Sequence, residues 1–216
     1  RVGSVNGSNI TLTVDTKLQN FVQERLSGLS ASAVIIDVNN GDLLAVSSAP
    51  SFNPNKFVNG ISFSDYNALL EDPYKPLWNK SVQGSYPPGS TFKMIVSLAA
   101  LEAGVVSKKE KINCTGVTEL SGQKFHCWKK GGHGKIDFHN SLMQSCDHYF
   151  YDLAQRLGIK KIAAMAKRLG IGEQYDLPLP SVNRGLMPDR VWKTQKRGQE
   201  WVIGDTLNTS IGQGYV

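Results

Sequence analysis

Two prolines and a glycine directly before an apolar run fix the position of one helix more firmly than any other feature of the sequence. The motif Pro-Pro-Gly-Ser-Thr-Phe-Lys occupies residues 87–93, and the run that follows it closes on Gly104. Proline and glycine do not continue a helix but often precede one, and glycine frequently ends one. The sequence therefore predicts a helix that begins near Ser90 and ends near Gly104.

A serine and a lysine stand three positions apart at the start of this helix, at Ser90 and Lys93. Side chains with that spacing share a face, so the hydroxyl and the amine can come within hydrogen-bonding distance. The helix is apolar nearly all round, which predicts a core position and a desolvated amine that can take a proton from serine. Backbone N–H groups at the helix start could also stabilise an oxyanion. The alternative is an N-capping serine followed by a solvent-facing lysine.

The remaining pattern mixes helical and strand signals. Asn-Asn-Gly at residues 39–41 separates two β-prone runs at 33–38 and 42–47, which predicts a hairpin of two buried strands. Helical spacing predicts further helices. Their ranges are 16–26 with Asp15 as N-cap, 64–70, 138–144, 148–157 and 160–169, and a second small hairpin is predicted around Asn6 and Gly7. These features favour an α/β chain of the α+β type, with helices packed on an antiparallel sheet.

Length and charge limit the classes of function. The 216 residues are 40% hydrophobic and 19% charged, which suits one globular domain. The net charge is +6, but the basic doublets are scattered along the chain, so we interpret them as solvated faces and expect no nucleic-acid partner. No window approaches eighteen apolar residues, no signal peptide is present and the first residue is not methionine, so we expect a piece of a longer protein.

Three cysteines and a histidine form a candidate metal set. Cys114, Cys127, His133 and Cys146 are separated by twelve, five and twelve residues, which could close a tetrahedral zinc site. The alternative is a disulfide, which would leave one thiol unpaired. His126 lies beside Cys127 and is interpreted as a surface histidine.

Four stretches together resemble the transpeptidase domain of class B penicillin-binding proteins, and most closely its elongation-type members. They are residues 87–93, Trp-Lys-Lys-Gly-Gly-His-Gly at 128–134, Ser-Cys-Asp at 145–147, and Gly-Asp-Thr through Ser-Ile-Gly-Gln-Gly at 204–214. The resemblance spans residues 10–216, and the order and spacing of several weak motifs make it specific. It implies the penicillin-binding and serine β-lactamase-like fold, with residues 1–216 as the N-terminal portion of a transpeptidase domain.

The resemblance assigns roles to individual residues. Ser90 would be the acyl-accepting nucleophile, Lys93 its general base, and Ser145 a relay for the proton. Asp147 stands where most of the superfamily has asparagine, although elongation-type members have aspartate there. A carboxylate beside Lys93 favours the charged amine and so opposes its work as a base. Ser145 and Asp147 could alternatively serve only as a helix N-cap.

The resemblance also implies an activity, partners and a location. The parent protein would be a peptidoglycan D,D-transpeptidase that cross-links D-Ala-D-Ala stem peptides and is acylated by β-lactams. It would be anchored in the bacterial inner membrane, with its catalytic domain in the periplasm, beside a SEDS-type glycosyltransferase. A serine β-lactamase and a non-catalytic β-lactam sensor are the alternatives.

One feature of the family lowers the activity that we expect of this chain. The third family motif, Lys-Thr-Gly or Lys-Ser-Gly, lies beyond the last residue here, and Lys-Thr-Gln at 193–195 does not replace it. We therefore expect little activity from these 216 residues alone.

A second family feature is a metal site. Some elongation-type enzymes bind a metal through acid, histidine and cysteine side chains at matching positions, including the residue between Ser145 and Asp147. Together with the cysteine spacing, this implies a structural zinc ion.

Overall fold

The computed structural model describes residues 7–177 and 179–216, which divide into two compact units. The first unit holds the described residues up to Gly84 together with residues 177 and 179–183, and the second holds residues 85–176 and 184–216. The helices are α1 (Thr16–Arg25), α2 (Asn55–Val58), α3 (Phe63–Glu71), α4 (Lys93–Glu102), α5 (Phe138–Met143), α6 (Asp147–Arg168), α7 (Arg190–Arg197) and α8 (Ile203–Ser210). The strands are β1 (Ala31–Ile36), β2 (Leu43–Ala49), β3 (Lys111–Cys114), β4 (Val117–Leu120), β5 (Gln123–His126) and β6 (Gly134–Asp137).

All strand pairs of the described chain are antiparallel, and each joins two strands: β1 with β2, β3 with β6, and β4 with β5. Helices pack against these sheets in both units. The predicted α+β character of the chain is therefore confirmed. No helix of the described residues combines the length and the apolar character needed to cross a lipid bilayer.

The first unit consists of α1 packed on the β1–β2 hairpin, with α2 and α3 following it in the chain. The carboxylate of Asp15 accepts hydrogen bonds from the N–H groups of Lys17 and Leu18, which confirms the predicted N-cap. The Gln19 side chain then fixes the helix on the sheet, because its amide accepts from Val46 N at 2.8 Å and donates to Val46 O at 3.0 Å.

The Asn-Asn-Gly hairpin is confirmed, but its burial is not as predicted. Gly41 adopts φ +82°, the left-handed conformation that glycine permits, and β1 pairs with β2 on either side of this turn. Val34 and Ile36 on β1 are exposed, so only β2 carries fully buried side chains. The small hairpin predicted around Asn6 lies partly outside the described residues, and residues 7–13 form no strand.

The second unit has a helical core made by α4, α6 and α8. Phe92 and Val96 on the α4 side meet Phe150 and Leu153 of α6, while Leu207 of α8 closes the cluster. Gly158 has φ 70° and ψ 159°, so α6 is two helical segments joined at a break. That break agrees with the two helices that the sequence predicts before and after Gly158.

The helix predicted after residue 89 is present, but it is not buried all round. Residues Gly89–Phe92 form a 3₁₀ turn that continues into α4. Val96 and Ala100 are buried, whereas Met94 is 60% and Leu98 is 47% exposed. Apolar residues on every face therefore do not place this helix at the centre of the core.

Four short strands occupy residues 111–137, where the sequence analysis predicts no regular structure. The turn between β4 and β5 consists of Ser121 and Gly122, both at positive φ, which is the conformation of a tight two-residue hairpin. The strands β3, β4 and β5 all contact α6. They hold the segment with Cys114, Cys127 and His133 beside the start of that helix.

Candidate active site

The candidate nucleophile lies on a turn that begins at a glycine in the left-handed conformation. Gly89 has φ +56°, and its N–H donates to the carbonyl of Gly212 at 2.9 Å. Ser90 follows and is exposed, while Lys93 one turn later is 1% exposed. The turn therefore presents a hydroxyl at the surface above an amine in the interior.

Ser145 connects this serine to the lysine. The Ser145 hydroxyl lies 2.8 Å from Ser90 Oγ and 2.9 Å from Lys93 Nζ. Among the described residues no hydrogen bond joins the Ser90 and Lys93 side chains directly, so the side-chain connection predicted from their spacing runs through a residue 55 positions away from Ser90 in the chain. Ser145 itself has φ 51°, a costly conformation for a residue with a side chain, and it is held at a turn between two helices.

Lys93 is enclosed by oxygen acceptors. Its Nζ donates to Ser145 O at 3.0 Å and to Asp147 Oδ1 at 2.6 Å, and it lies 5.5 Å from the ring centroid of Phe150. The second oxygen of Asp147 accepts from Trp128 N at 3.0 Å. The carboxylate therefore has partners on both oxygens, and the buried amine has a counter-charge.

Lys93 Nζ has three hydrogen-bond partners, and only the bond with Ser145 Oγ can reverse its donor and acceptor when the nitrogen gains or loses a proton. Carbonyl and carboxylate oxygens only accept hydrogen bonds, so two N–H groups remain committed to Ser145 O and Asp147. The third direction faces Ser145 Oγ, as an N–H group in the ammonium form or as a lone pair in the neutral amine. This arrangement fits a nitrogen that exchanges a proton with Ser145.

An open groove of about 530 Å³ adjoins the serine. Besides Ser90, Lys93 and Ser145, its walls are mostly apolar, formed by Thr91, Met94, His139, Leu142 and Met143. Met94 and Met143 are both more than half exposed. The groove has the location expected for a substrate group that lies beside the reacting serine.

The four candidate metal ligands come together next to these residues. The ligand atoms of Cys114, Cys127, His133 and Cys146 all lie within 4.8 Å of one another. His133 Nδ1 is 3.5 Å from Cys114 Sγ and 3.6 Å from Cys127 Sγ. Zinc bonds of about 2.3 Å to sulfur and about 2.05 Å to nitrogen in a tetrahedron set a sulfur–nitrogen distance of about 3.5 Å. The residues present therefore fit a tetrahedral zinc ion.

Two glycines permit this convergence. A side chain on Gly132 would overlap the carbonyl of Cys114, and one on Gly116 would overlap the carbonyl of Lys130. The backbone around His133 can thus approach the end of β3 closely. Cys127 lies in the same loop, so it reaches Cys114 as well.

Burial is the largest cause of the pKa shifts of two members of this cluster, His133 and Cys146. It lowers the pKa of His133, with a further lowering from Lys129, so the imidazole is held in the neutral form that binds metals. Burial also raises the pKa of the Cys146 thiol. The three cysteines are buried and unpaired, and a thiol in such a place loses its proton when a metal ion binds.

Members of the metal-ligand cluster are neighbours in the chain of the candidate catalytic residues and of Trp128. Cys146 lies between Ser145 and Asp147, and Cys127 is followed by Trp128, whose N–H donates to Asp147. The Trp128 indole N–H lies 3.1 Å from the carbonyl of Ser145. Trp128 is predicted only as part of the stretch at 128–134, with no role of its own, although its place directly after Cys127 was the available signal. His126 is exposed, as predicted for a surface histidine.

Comparisons with known proteins agree with this architecture. A family model described as the penicillin-binding protein transpeptidase domain matches residues 31–216. The peptidoglycan D,D-transpeptidase MrdA of Acinetobacter baumannii is 40% identical over 216 residues, which are 99% of this chain and 32% of that protein. The chain thus spans about a third of the length of this curated relative.

Solved structures give the same result. The crystal structure of Pseudomonas aeruginosa PBP2 in complex with WCK 5153 matches with a TM-score of 0.91 and 41% identity, over 94% of this chain and 47% of that one. PBP2 in the complex with MreC from Helicobacter pylori matches with a TM-score of 0.90 and 36% identity, over 94% of this chain and 38% of that one.

Proposed function

Because the chain belongs to the penicillin-binding protein transpeptidase family, in its PBP2/MrdA branch, we propose that its parent is a peptidoglycan D,D-transpeptidase that works through an acyl-enzyme on Ser90. The observation that carries the proposal is the hydrogen-bonded series from Ser90 Oγ through Ser145 Oγ to Lys93 Nζ. It provides a nucleophile, a relay and a base in one line. The substrates would be stem peptides that end in D-Ala-D-Ala.

In the first half of the reaction Ser90 Oγ attacks the carbonyl carbon of the penultimate D-Ala. Its proton passes to Ser145 Oγ as the Ser145 proton passes to neutral Lys93. The backbone N–H of Ser90 stabilises the oxyanion, since the N–H of Gly89 is bonded to the Gly212 carbonyl. The C–N bond then breaks, and the terminal D-Ala amine leaves with a proton that returns from Lys93 through Ser145. An ester on Ser90 remains.

The second half reverses these transfers. An acceptor amine attacks the ester carbonyl and gives a proton through Ser145 to Lys93, and the same proton returns to Ser90 Oγ when the C–O bond breaks. The product is a new peptide cross-link, and the enzyme regains its starting state. A β-lactam would follow the first half only, because its leaving amine stays tethered to the acyl group.

Asp147 has a positioning role in this proposal. Its Oδ1 accepts a hydrogen bond from Lys93 Nζ at 2.6 Å. The other carboxylate oxygen accepts from Trp128 N, so its charge is shared between two donors. We infer that Asp147 keeps the lysine amine directed at Ser145 and supports the protonated state that forms after the attack.

We propose that a structural zinc ion is held by Cys114, Cys127, His133 and Cys146. The support is the fit of the ligand distances together with the unpaired state of all three thiols. Such an ion would supply a cross-link between the β3–β6 segment and the start of α6. The proton transfers above do not pass through it.

Family membership supports a proposal for the partners and the location. We propose that the parent is anchored in the bacterial inner membrane, acts in the periplasm beside a SEDS-type glycosyltransferase, and binds β-lactam antibiotics at Ser90. PBP2 of Helicobacter pylori is described in a complex with MreC. We extend that partner to the parent of this chain.

Covalent labelling tests the proposed activity. We define the extended chain as these 216 residues joined after Val216 to the residues that follow the matched segment in the Acinetobacter baumannii relative. A labelled penicillin is expected to form one adduct per extended chain, and mass mapping should locate it on Ser90. An adduct on any other residue contradicts the assignment. Hydrolysis of the adduct at the rate of substrate turnover would favour a serine β-lactamase.

The third family motif provides a second test. The extended chain is expected to be acylated about 10²–10³ times faster than the 216 residues alone, because each oxyanion donor contributes a factor of that size. The measurement is the second-order rate constant with the same penicillin. Equal rates would show that the later strand is dispensable.

A further inference from the structure

A buried ion pair in the second unit joins α7 to α8 and is separate from the series Ser90–Ser145–Lys93. Lys193 of α7 and Asp205 in the first turn of α8 approach to 2.6 Å, with side chains only 6% and 13% exposed. Burying two charges has a large desolvation cost, and such a pair adds little net stability compared with apolar side chains of similar volume. Stability alone therefore does not account for the pair.

The pair fixes both ends of α8. The Asp205 oxygen that faces Lys193 also accepts from Val202 N at 2.9 Å, so it caps the start of the helix. The Lys193 amine lies 5.5 Å from the centroid of the Tyr215 ring, in the segment that follows the end of the same helix. Trp192 packs against that ring too, with the centroids 5.3 Å apart. One ammonium group thus contacts the first turn of α8 and the segment that follows the helix.

Gly212 lies between α8 and Tyr215 in the chain, and it contacts the turn that carries Ser90. Gly212 has φ +70°, and its carbonyl accepts from Gly89 N at 2.9 Å. A side chain on Gly212 would overlap the backbone of Gly89, so the two segments are in direct backbone contact. Gly89 immediately precedes Ser90. The position of the 211–215 segment therefore bears on the position of the serine hydroxyl.

We propose that Lys193 is a positioning residue that holds Gly212 against Gly89 and so keeps Ser90 Oγ in line with Ser145. Without the ammonium group, Asp205 is left buried without its counter-charge. Tyr215 loses the nearer of its two cation contacts, because Arg197 remains at 5.9 Å from the ring centroid. The 211–215 segment then relaxes, and the turn that carries Ser90 loses its support. Small displacements of a reacting atom are costly, since about 1 Å can reduce a rate by about 10²-fold.

The first test reads the contact itself and needs no activity. In Lys193→Met, hydrogen exchange of the Gly89 amide should become about tenfold faster than in the unaltered 216-residue chain, since its partner Gly212 is no longer held. The control is Ile162→Val or Ile162→Ala in α6, where Ile162 is buried. Whichever of the two has the melting temperature of Lys193→Met is used, and it should leave the exchange rate of the Gly89 amide unchanged. Equal acceleration in the matched variant would overturn the proposal.

The second test reads catalysis and rests on the proposed function. In the extended chain, Lys193→Met should lower the rate constant for acylation by a penicillin about tenfold while changing the non-covalent dissociation constant less than about twofold, because the turn is misplaced but the groove remains. The stability-matched Ile162 variant should retain both values. Equal losses in the two variants would reduce Lys193 to a purely structural residue and overturn the proposal.

A second variant keeps the tests available if Lys193→Met does not fold. The pair Lys193→Met with Asp205→Asn leaves no buried charge, and the asparagine oxygen can still cap Val202 N. The same loss of Gly89 protection and of acylation rate is expected, because the contact with Tyr215 is still missing; parental values in this variant overturn the proposal. Failure of the unaltered extended chain to label Ser90 would refute the proposed function but leave the exchange test valid.

Discussion

Replacing Lys93 by methionine in the extended chain is expected to slow acylation by a penicillin about 10²–10⁴-fold, the contribution of a positioned general base. Methionine fills a similar volume but cannot accept the proton that Ser145 relays from Ser90. The effect should fall on the acylation rate constant, with little change in non-covalent binding. Stopped-flow measurement with a fluorescent penicillin gives both values, and Ser90→Ala, which should not be labelled, supplies the background.

Two further variants separate chemistry from stability. Lys93→Met alone leaves Asp147 buried without its counter-charge, which costs about 3–5 kcal/mol when a buried pair is broken. Adding Asp147→Asn removes that charge, so stability should largely return while acylation stays slow. Lys80→Met is the matched control, because Lys80 is also buried but lies in the first unit. Acylation by Lys93→Met within tenfold of the parent rate would show that another group is the base.

Local signals were enough to predict much of the fold. The prolines before Gly89 position the start of α4, Asp15 caps α1, and Gly41 turns the β1–β2 hairpin. Each of these depends on backbone preferences of residues adjacent in the chain. The break in α6 at Gly158 belongs to the same class, because the glycine both ends one segment and begins the next.

Contacts between distant residues were not predictable in this way. The spacing of Ser90 and Lys93 suggested a direct hydrogen bond, but Ser145 lies between them in space. Its location depends on how α5 and α6 pack, and a periodicity argument contains no such information. The resemblance to a family supplied Ser145 as a candidate, and the structure supplies the order in which the three groups are connected.

The strands around the cysteines were missed for a different reason. Residues 111–137 are rich in glycine and lysine, and strands of four residues carry little alternation to detect. The Ser121-Gly122 turn between β4 and β5 was the one local signal available. Glycine is needed at positions 116 and 132 because two backbone segments approach each other closely there, and the sequence alone does not show that approach. Cysteine spacing thus suggested the ligands but not the sheet that brings them together.

Removing zinc is expected to affect stability and acylation together. The protein purified without chelator should contain about one zinc per chain by elemental analysis. Chelation, or Cys146→Ser, should then lower the free energy of unfolding by more than about 4 kcal/mol, as the loss of a structural metal does, and the melting temperature by about 10 °C or more. Acylation of the extended chain should slow as well, because Cys146 holds Ser145 and Asp147 on either side of it.

His126 provides the matched control, since it lies next to Cys127 but is exposed. His126→Ala should change neither the zinc content nor the melting temperature. A disulfide would behave differently, because chelation would leave it intact while a reducing agent would break it. If elemental analysis finds no zinc and mass spectrometry shows Cys114 bonded to Cys127, the cluster is a disulfide with one free thiol. In that case His133 Nε2, which is buried without a hydrogen-bond partner among the described residues, belongs to a neutral imidazole packed against the disulfide sulfurs.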